Sequence, residues 1–480
     1  MRSTDPRTTY ESPLTERYAS EEMSRIFSPA HRYGLWRDLW IWLAEGERDL
    51  GLPITEAQIR ELVRGRDPID FDRVAEIETE VRHEVIAHLR AYGEACPTAK
   101  PILHLGATSA YVMDNSDLIQ MKQALGLVLR KVANVIDALA RFAERHRDRA
   151  CLGYTHFQSA QPTTVGKRAC LWIQELLLDL EELEGRIATL PFRGVKGTTG
   201  TQASFLRLFD GDHDKVKALD LAVTRRAGFD RPIAVCGQTY TRKVDAGIAA
   251  TLAGIAVSST KFAGDVRLLA GLKEVEEPFR EKQVGSSAMA YKRNPMRCER
   301  IAALARTVLI GSRNLDHTAA LQWLERSLDD SANRRVIVPE LFLATDVILE
   351  TYLEVASGLQ VNEKVIASRL AEELPFLGTE NLLMEAVAAG GDRQDVHERI
   401  RVHARAAAEA VKEGSRNDLL DRLRQDPAFA AVRDRLDSLL EPRLFVGRAP
   451  QQVDEFLAER VRPVLDRHRA ILGHQAKTRV

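Results

Sequence analysis

The sequence predicts an all-α protein of three helical domains, with a long central helix bundle completed by oligomerisation. Three observations carry that expectation. Apolar residues recur at alternating spacings of three and four over three long segments, a period no strand can use. Clusters of Pro and Gly at 97–106, 153–162, 191–200, 228–237 and 278–295 punctuate those segments. A length of 480 residues exceeds what one ordinary core accommodates, which points to two or three domains sharing an interior.

The first seam reads Leu118, Met121, Leu125, Val128, Val132, Val135, Leu139, Phe142. A helix covering it is about 37 Å long at 1.5 Å per residue and needs a partner along its whole length. The second seam places Trp172, Leu176, Leu180, Leu183 and Ile187 on one face, and the third reads Ile248, Leu252, Ile255, Ser259, Phe262, Val266, Leu269. Ala249, Ala250, Ala253, Gly254, Ala256, Ala263 and Gly264 surround the third stripe, so neighbouring backbones can approach it closely on more than one side. That gives it a central position. Boundaries near 108, before the first long helix, and near 361, after an apolar helix at 341–355, divide the chain. The units are an N-terminal helical domain at 1–108, the bundle at 109–361, and a C-terminal domain at 362–480. The last reads as shorter amphipathic helices separated by Pro375, Gly390-Gly391, Gly414 and Pro427, a cap without chemistry of its own.

Composition excludes several classes of function. Lys plus Arg is 68 against 69 for Asp plus Glu, so no bulk charge draws the chain to nucleic acid or an anionic membrane. Five widely spaced cysteines, with no Cys-x-x-Cys pair, argue against a disulfide framework or a zinc site and fit a reducing, cytoplasmic compartment. The polar N-terminus has no secretory pattern. The most apolar stretch, 171–183, is broken by Glu175, Asp179 and Glu181, so no membrane span is expected. His83 and His88 are five apart, about 140° around a helix, and cannot share the metal face that a spacing of four provides. No metal ligand is expected.

The least ordinary stretch is Gly285-Ser286-Ser287-Ala288-Met289-Ala290-Tyr291-Lys292-Arg293-Asn294-Pro295, a polar loop between long helices that is suited to folding over an anion. It resembles the G-S-S-x-M-P-x-K-x-N-P loop of the fumarase, aspartase and argininosuccinate lyase superfamily. Other strings resemble the adenylosuccinate lyase family in particular, in that family's order: Arg17-Tyr18-Ala19-Ser20, Arg82-His83-Glu84, His104-Leu105-Gly106-Ala107-Thr108-Ser109, Thr155-His156-Phe157-Gln158, Gly237-Gln238-Thr239-Tyr240, and Asp329-Asp330-Ser331-Ala332-Asn333-Arg334-Arg335.

The resemblance implies a β-elimination that releases fumarate from a succinylamino purine nucleotide, with no metal or cofactor, in a homotetramer with shared sites. It implies Ser286 as the base that takes the carbon-bound proton, His156 as the acid that protonates the departing nitrogen, and His83 in support of His156. Lys292 and Asn294 would hold the carboxylate where negative charge accumulates. A neutral hydroxyl is too weak a base, so Ser286 needs backbone N–H groups and a nearby cation to favour its alkoxide. An imidazole with a reference pKa of about 6.5 suits the acid's task near neutral pH. Arg17, Tyr18, Arg326, Ser331 and Arg335 match phosphate-binding positions, for which arginine's planar fork is suited. Thr108, Ser109 and Gln238 match carboxylate-binding positions; Arg82 and His83, with Glu84 beside them, match positions that contact the substrate, His83 near its phosphate or succinyl group; and Glu299 and Arg300, at the loop's trailing edge, match positions near the site. On this reading the serine sits in a mobile lid and the imidazole on a rigid rod. Rods that cannot bend back imply a site assembled from several subunits.

Two positions depart from the family. Ala290 stands where the loop normally has Pro, which leaves the open loop more entropy to lose on closing. Glu84 stands where relatives usually have Asp, moving the carboxylate by about one methylene and putting its contact in question. The alternatives are a silent structural member of the superfamily, or a lyase acting on another succinyl-type substrate such as argininosuccinate.

Overall fold

A computed structural model of the chain describes residues 9–478; the first part of the polar N-terminus, at 1–8, lies outside the described residues. The longer elements, in order, are α1 (Pro29–Asp49), α2 (Phe71–Val81), α3 (Glu84–Ala95), α4 (Ser109–Arg145), strands β1 (Ala150–Thr155) and β2 (Gln158–Thr164), α5 (Val165–Thr189), α6 (His213–Arg226), α7 (Lys243–Gly271), β3 (Val275–Glu276), α8 (Met296–Ala320), α9 (Asp329–Gly358), β4 (Gln360–Val361), α10 (Glu363–Leu377), α11 (Thr379–Ala388) and α12 (Arg393–Lys412). The fold is mostly helical, as the seams predict.

Every residue of the first and third seams is buried, and in the second only Ile187, on the last turns of α5, is half-exposed. The first seam belongs to a longer helix than it demanded. α4 has 37 residues, about 54 Å from end to end. α7 packs against α5, α8 and α9, in the central position its small residues implied. It is also the most apolar helix, not the stretch at 171–183: an 18-residue window of α7 has a mean hydropathy of 1.3, and 61% of that window is buried within the protein. By length and composition it meets the test for a membrane span; its apolar side chains are mainly those of a core helix.

Two sequence expectations need correction. The segment 153–162 is not a loop between helices but most of an antiparallel hairpin, β1–β2, pairing Thr155 with Gln158. His156 and Phe157 form its two-residue turn with φ of +53° and +57°, the left-handed pair that right-twisted hairpins favour. His156 therefore sits on a hairpin tip and not on a rod. Pro375 does not separate helices: it lies buried inside α10, which runs on to Leu377. Gly390-Gly391 and Gly414 do fall between or after helices. A second apolar cluster, distinct from the bundle's, forms from Leu382, Leu383, Val396, Ile400, Leu419, Leu423 and Phe429 in the C-terminal region.

Candidate active site

Where α4 and α9 begin and the chain approaches α7, a cavity of about 110 Å³ opens among Arg32, Ser109, Asp114, Asp117, Gln238, Arg242, Arg326, Asp330, Ser331, Arg334 and Arg335. Thr108 occupies the N-cap position of α4, and its hydroxyl accepts a hydrogen bond from Gln238 Nε2 at 3.4 Å. Ser109 is the first residue of that helix, whose free N–H groups and dipole favour an anion. Gln238 is pinned on both sides: its backbone N–H donates to Glu325 O at 2.9 Å, and its carbonyl accepts from Arg193 Nε at 2.8 Å.

Beneath the cavity lies a buried charge network. Arg242 donates to Asp330 at 2.7 Å and Asp114 at 3.0 Å. Arg334 donates to Asp245 at 2.7 Å and to the Tyr240 hydroxyl at 2.6 Å, and pairs with Asp117 at 3.0 Å. Both guanidinium groups also lie over the Tyr240 ring, at 4.5 and 5.5 Å. Burial alone would raise Asp114, but Arg242, Arg334 and Arg193 hold it below its ordinary value. Such a floor fixes the first turns of α4, α7 and α9 against one another, so the polar groups above it are positioned before any ligand arrives. Asp114 and Asp245 continue the first and third apolar seams one turn upstream, at Leu118 minus four and Ile248 minus three. A carboxylate in phase with a buried stripe demands a buried cation, and that signal marked the network in the sequence.

At the rim, Arg326 pairs with Asp330 at 3.1 Å. Arg335, one turn beyond Ser331 on α9, is held in a two-pronged pair by Glu84, which also accepts from the Tyr33 hydroxyl at 2.7 Å. Burial pushes the Glu84 carboxyl up, but Arg335 and Tyr33 outweigh it and keep it below its usual range. Glu84 thus offsets the charge of Arg335 at the rim. Arg82 and His83 precede it on the sharp link from α2 to α3, where Arg82 has a φ of +53° and His83 caps α3, its Nδ1 accepting from Ile86 N at 3.3 Å. That bond places the ring proton of neutral His83 on Nε2. Behind this rim, His88 is buried, stacked on Tyr33 at 4.0 Å and edge-on to Trp36 at 5.2 Å.

The other expected residues lie elsewhere in the chain. His156 is exposed on its hairpin, which is anchored by the Tyr154 hydroxyl donating to Glu274 at 2.6 Å. The 278–295 loop is closed on itself: Asn294 Nδ2 donates to Gly285 O at 2.7 Å. The Lys292 carbonyl comes so near Gly285 that a Cβ there would lie 2.0 Å from it, which is why the loop needs glycine at that point. Ser286 Oγ accepts from the backbone N–H of Ala288 at 3.3 Å and of Met289 at 3.1 Å. These are the donors an alkoxide requires. Lys292 is exposed three residues beyond them. Between the two ends, Arg17 and Arg300 both lie over the Tyr18 ring, at 5.8 and 5.3 Å, with Glu299 exposed beside Arg300.

These groups are far apart within one chain. Ser109 and the hairpin occupy opposite ends of α4, about 54 Å apart along its axis. Ser331 and Glu354, to which the lid's exit residue Arg297 pairs, are about 35 Å apart along α9. The lid's entry is clasped to its exit by Arg297 donating to Pro278 O at 2.9 Å. Eight extended residues from there to Ser286 span at most about 29 Å, short of the roughly 35 Å that separate Glu354 from Ser331.

A long antiparallel helix bundle with polar side chains gathered at its two ends defines a helical lyase, and the family described as Lyase matches residues 68–310. The fold agrees: a fumarate lyase structure from Mesorhizobium sp. BNC1 superposes with a TM-score of 0.77 at 25% identity, covering 94% of this chain and 100% of that one. The adenylosuccinate lyase C-terminus family matches residues 375–456. The chain is 52% identical to an adenylosuccinate lyase of Saccharomyces cerevisiae and 50% identical to one of Schizosaccharomyces pombe, each over 95% of both proteins. It belongs to the adenylosuccinate lyase family.

Proposed function

We propose that this enzyme, a fumarate-releasing carbon–nitrogen lyase, converts adenylosuccinate to AMP and fumarate, and acts in the same way on the succinylated imidazole-carboxamide nucleotide of purine biosynthesis. The observation that carries the reading is the cavity, where phosphate-type donors (Arg326, Ser331, Arg335) and carboxylate-type donors (Ser109 and Gln238, the latter bonded to Thr108) line one space above a fixed charged floor. A nucleotide bearing a succinyl group needs both.

The cavity's roughly 110 Å³ is well below the roughly 300 Å³ at which pockets for such ligands begin. Further walls are needed, and the separation of the two ends of the bundle supports their coming from another chain. Antiparallel packing of bundles brings the distal end of one chain to the cavity of its neighbour, in a homotetramer. Leu178 of α5, Val257 of α7 and Ile310 of α8, exposed on the isolated bundle, suit that contact. In the assembled site the Ser286 alkoxide takes the proton from the succinyl carbon, and the resulting electron pair becomes the carbon–carbon double bond as the bond to nitrogen breaks. His156 gives that nitrogen its proton. Lys292 offsets the charge accumulating on the carboxylate, while Arg17, Tyr18 and Arg300 extend the binding surface.

We also retain the division at 108 and 361 into three helical units, and place the enzyme in the cytosol, where five free thiols are stable. The test is fumarate release from adenylosuccinate by the purified protein. His156→Ala and Ser286→Ala should each abolish it without altering the oligomer. Release from argininosuccinate instead, or full activity in either variant, overturns the reading.

A further inference from the structure

The C-terminal tail beyond Ile471 follows a path that no fold requirement explains. It has no regular structure of its own at 472–478, yet His474, Lys477 and Thr478 are bonded to α4 and α9. Asn134 on α4 donates to Ile471 O at 2.8 Å and accepts from His474 N at 2.9 Å. On α9, Glu350 takes the His474 ring at 2.7 Å and Lys477 N at 2.9 Å, and one turn on Glu354 accepts from the Thr478 hydroxyl at 2.5 Å. Glu350 and Glu354 share one face of α9, so the tail is laid along that face, in the direction of the lid.

Glu354 is also where the lid is tied down. Arg280, two residues into the loop, donates to it at 2.7 Å, and Arg297, at the loop's exit, pairs with it at 3.1 Å. Arg280 donates to the Thr478 hydroxyl as well, at 3.2 Å. Glu354 therefore holds both ends of the segment that carries Ser286, joined at the entry by the Thr478 hydroxyl and at the exit by Glu277, which accepts from Arg297 N at 3.1 Å. The anchorage continues inward: Lys131, fully buried, pairs with Glu350 and Asp346, and Asp346 accepts from Ser20 N at 2.7 Å, next to Tyr18. Burial would raise Glu350 and Glu354, but these bonds outweigh it and hold both below the ordinary carboxylate value.

We propose that the C-terminal tail is a strap for the lid, with Thr478 and Glu354 as positioning residues that fix Arg280 and Arg297 and so set where Ser286 is presented. The proposal rests on the reading that Ser286 acts from this loop. Neither residue touches substrate; the effect runs through the loop's two fixed ends, and it bears on the chemical step more than on binding in the distant cavity.

The test uses Thr478→Val, which keeps the shape of the side chain but neither donates nor accepts, in the full-length oligomer. Loss of the hydroxyl's two bonds should lower kcat for adenylosuccinate about fivefold with KM within about twofold, the scale of one net hydrogen bond. Cleavage by trypsin within the lid, after Lys282, Lys292 or Arg293, should accelerate by a similar factor, and Thr478→Ser should restore both. Unchanged kcat and unchanged lid cleavage in Thr478→Val overturn the strap. Ser286→Ala, run alongside, separates the two readings: if it is inactive while Thr478→Val behaves as the unaltered enzyme, only the strap fails, and if it is active, the lid's catalytic role fails first.

Discussion

Acid should weaken this protein through the wall behind its cavity, and His88 shows how much. The ring is 5% exposed, packed on Tyr33 and Trp36, and burial, with a smaller push from Arg37, lowers its pKa from 6.5 to about 4 despite the opposing pull of Glu84. Above pH 6.5 the ring is neutral in both folded and unfolded chains, and it contributes no pH dependence. Between 6.5 and 4 the unfolded chain binds a proton that the folded chain refuses, so stability falls by about 1.4 kcal/mol per pH unit, reaching about 3 kcal/mol at pH 4. His88→Phe keeps the aromatic contacts and cannot take up a proton. Urea unfolding at pH 7 and pH 5, at one fixed protein concentration, should show the unaltered protein losing about 2 kcal/mol more than the variant over that interval. An equal loss in both would refute the assignment of a neutral, desolvated ring to this position. His104, held by the Trp40 indole N–H at 2.9 Å and likewise lowered to about 4 by burial, leaves a residual acid sensitivity in the variant.

Replacing Glu84 by Gln releases Arg335 from its carboxylate and removes one negative charge at the rim. AMP should then inhibit about fivefold more strongly, an electrostatic gain of roughly 1 kcal/mol, and weaker inhibition would show that Glu84 orients Arg335 for the phosphate instead of competing with it. Ala290→Pro should favour lid closure by restricting the open loop, slowing tryptic cleavage there and raising kcat about twofold, since a compatible Pro is worth about 0.4–1 kcal/mol. No change in either measurement refutes the entropy argument.

The parts of this fold legible in the sequence were those governed by a repeated burial pattern. Leu118 to Phe142 and Ile248 to Leu269 announced their helices because a stripe of eight apolar side chains, or of six with Ser259 among them, has no other economical conformation. The β1–β2 hairpin announced nothing. Its strands contain Gly153 and Pro162, and its turn uses His156 and Phe157 in place of the Asn-Gly or Asp-Gly pair that announces such a turn. The position of His156 was thus visible as a motif while its setting was not. Asp114 and Asp245 were readable in principle, as charges in phase with buried stripes; their partners Arg242 and Arg334 were not, because partner choice depends on how three helix ends converge. Glu84 shows the limit most clearly. Its place in a motif suggested contact with a ligand, and only the approach of α3 to α9 turns it toward Arg335.

The separation of the two ends of the bundle is the fact on which the shared site depends, and co-expression of two inactive variants measures it directly. Gln238→Ala damages the cavity and His156→Ala damages the distal end. If each site draws these residues from different chains, random mixed oligomers regain about a quarter of normal turnover, because a quarter of sites receive both intact residues. If one chain supplies both, no mixed oligomer contains an intact site, and turnover stays at the level of the single variants.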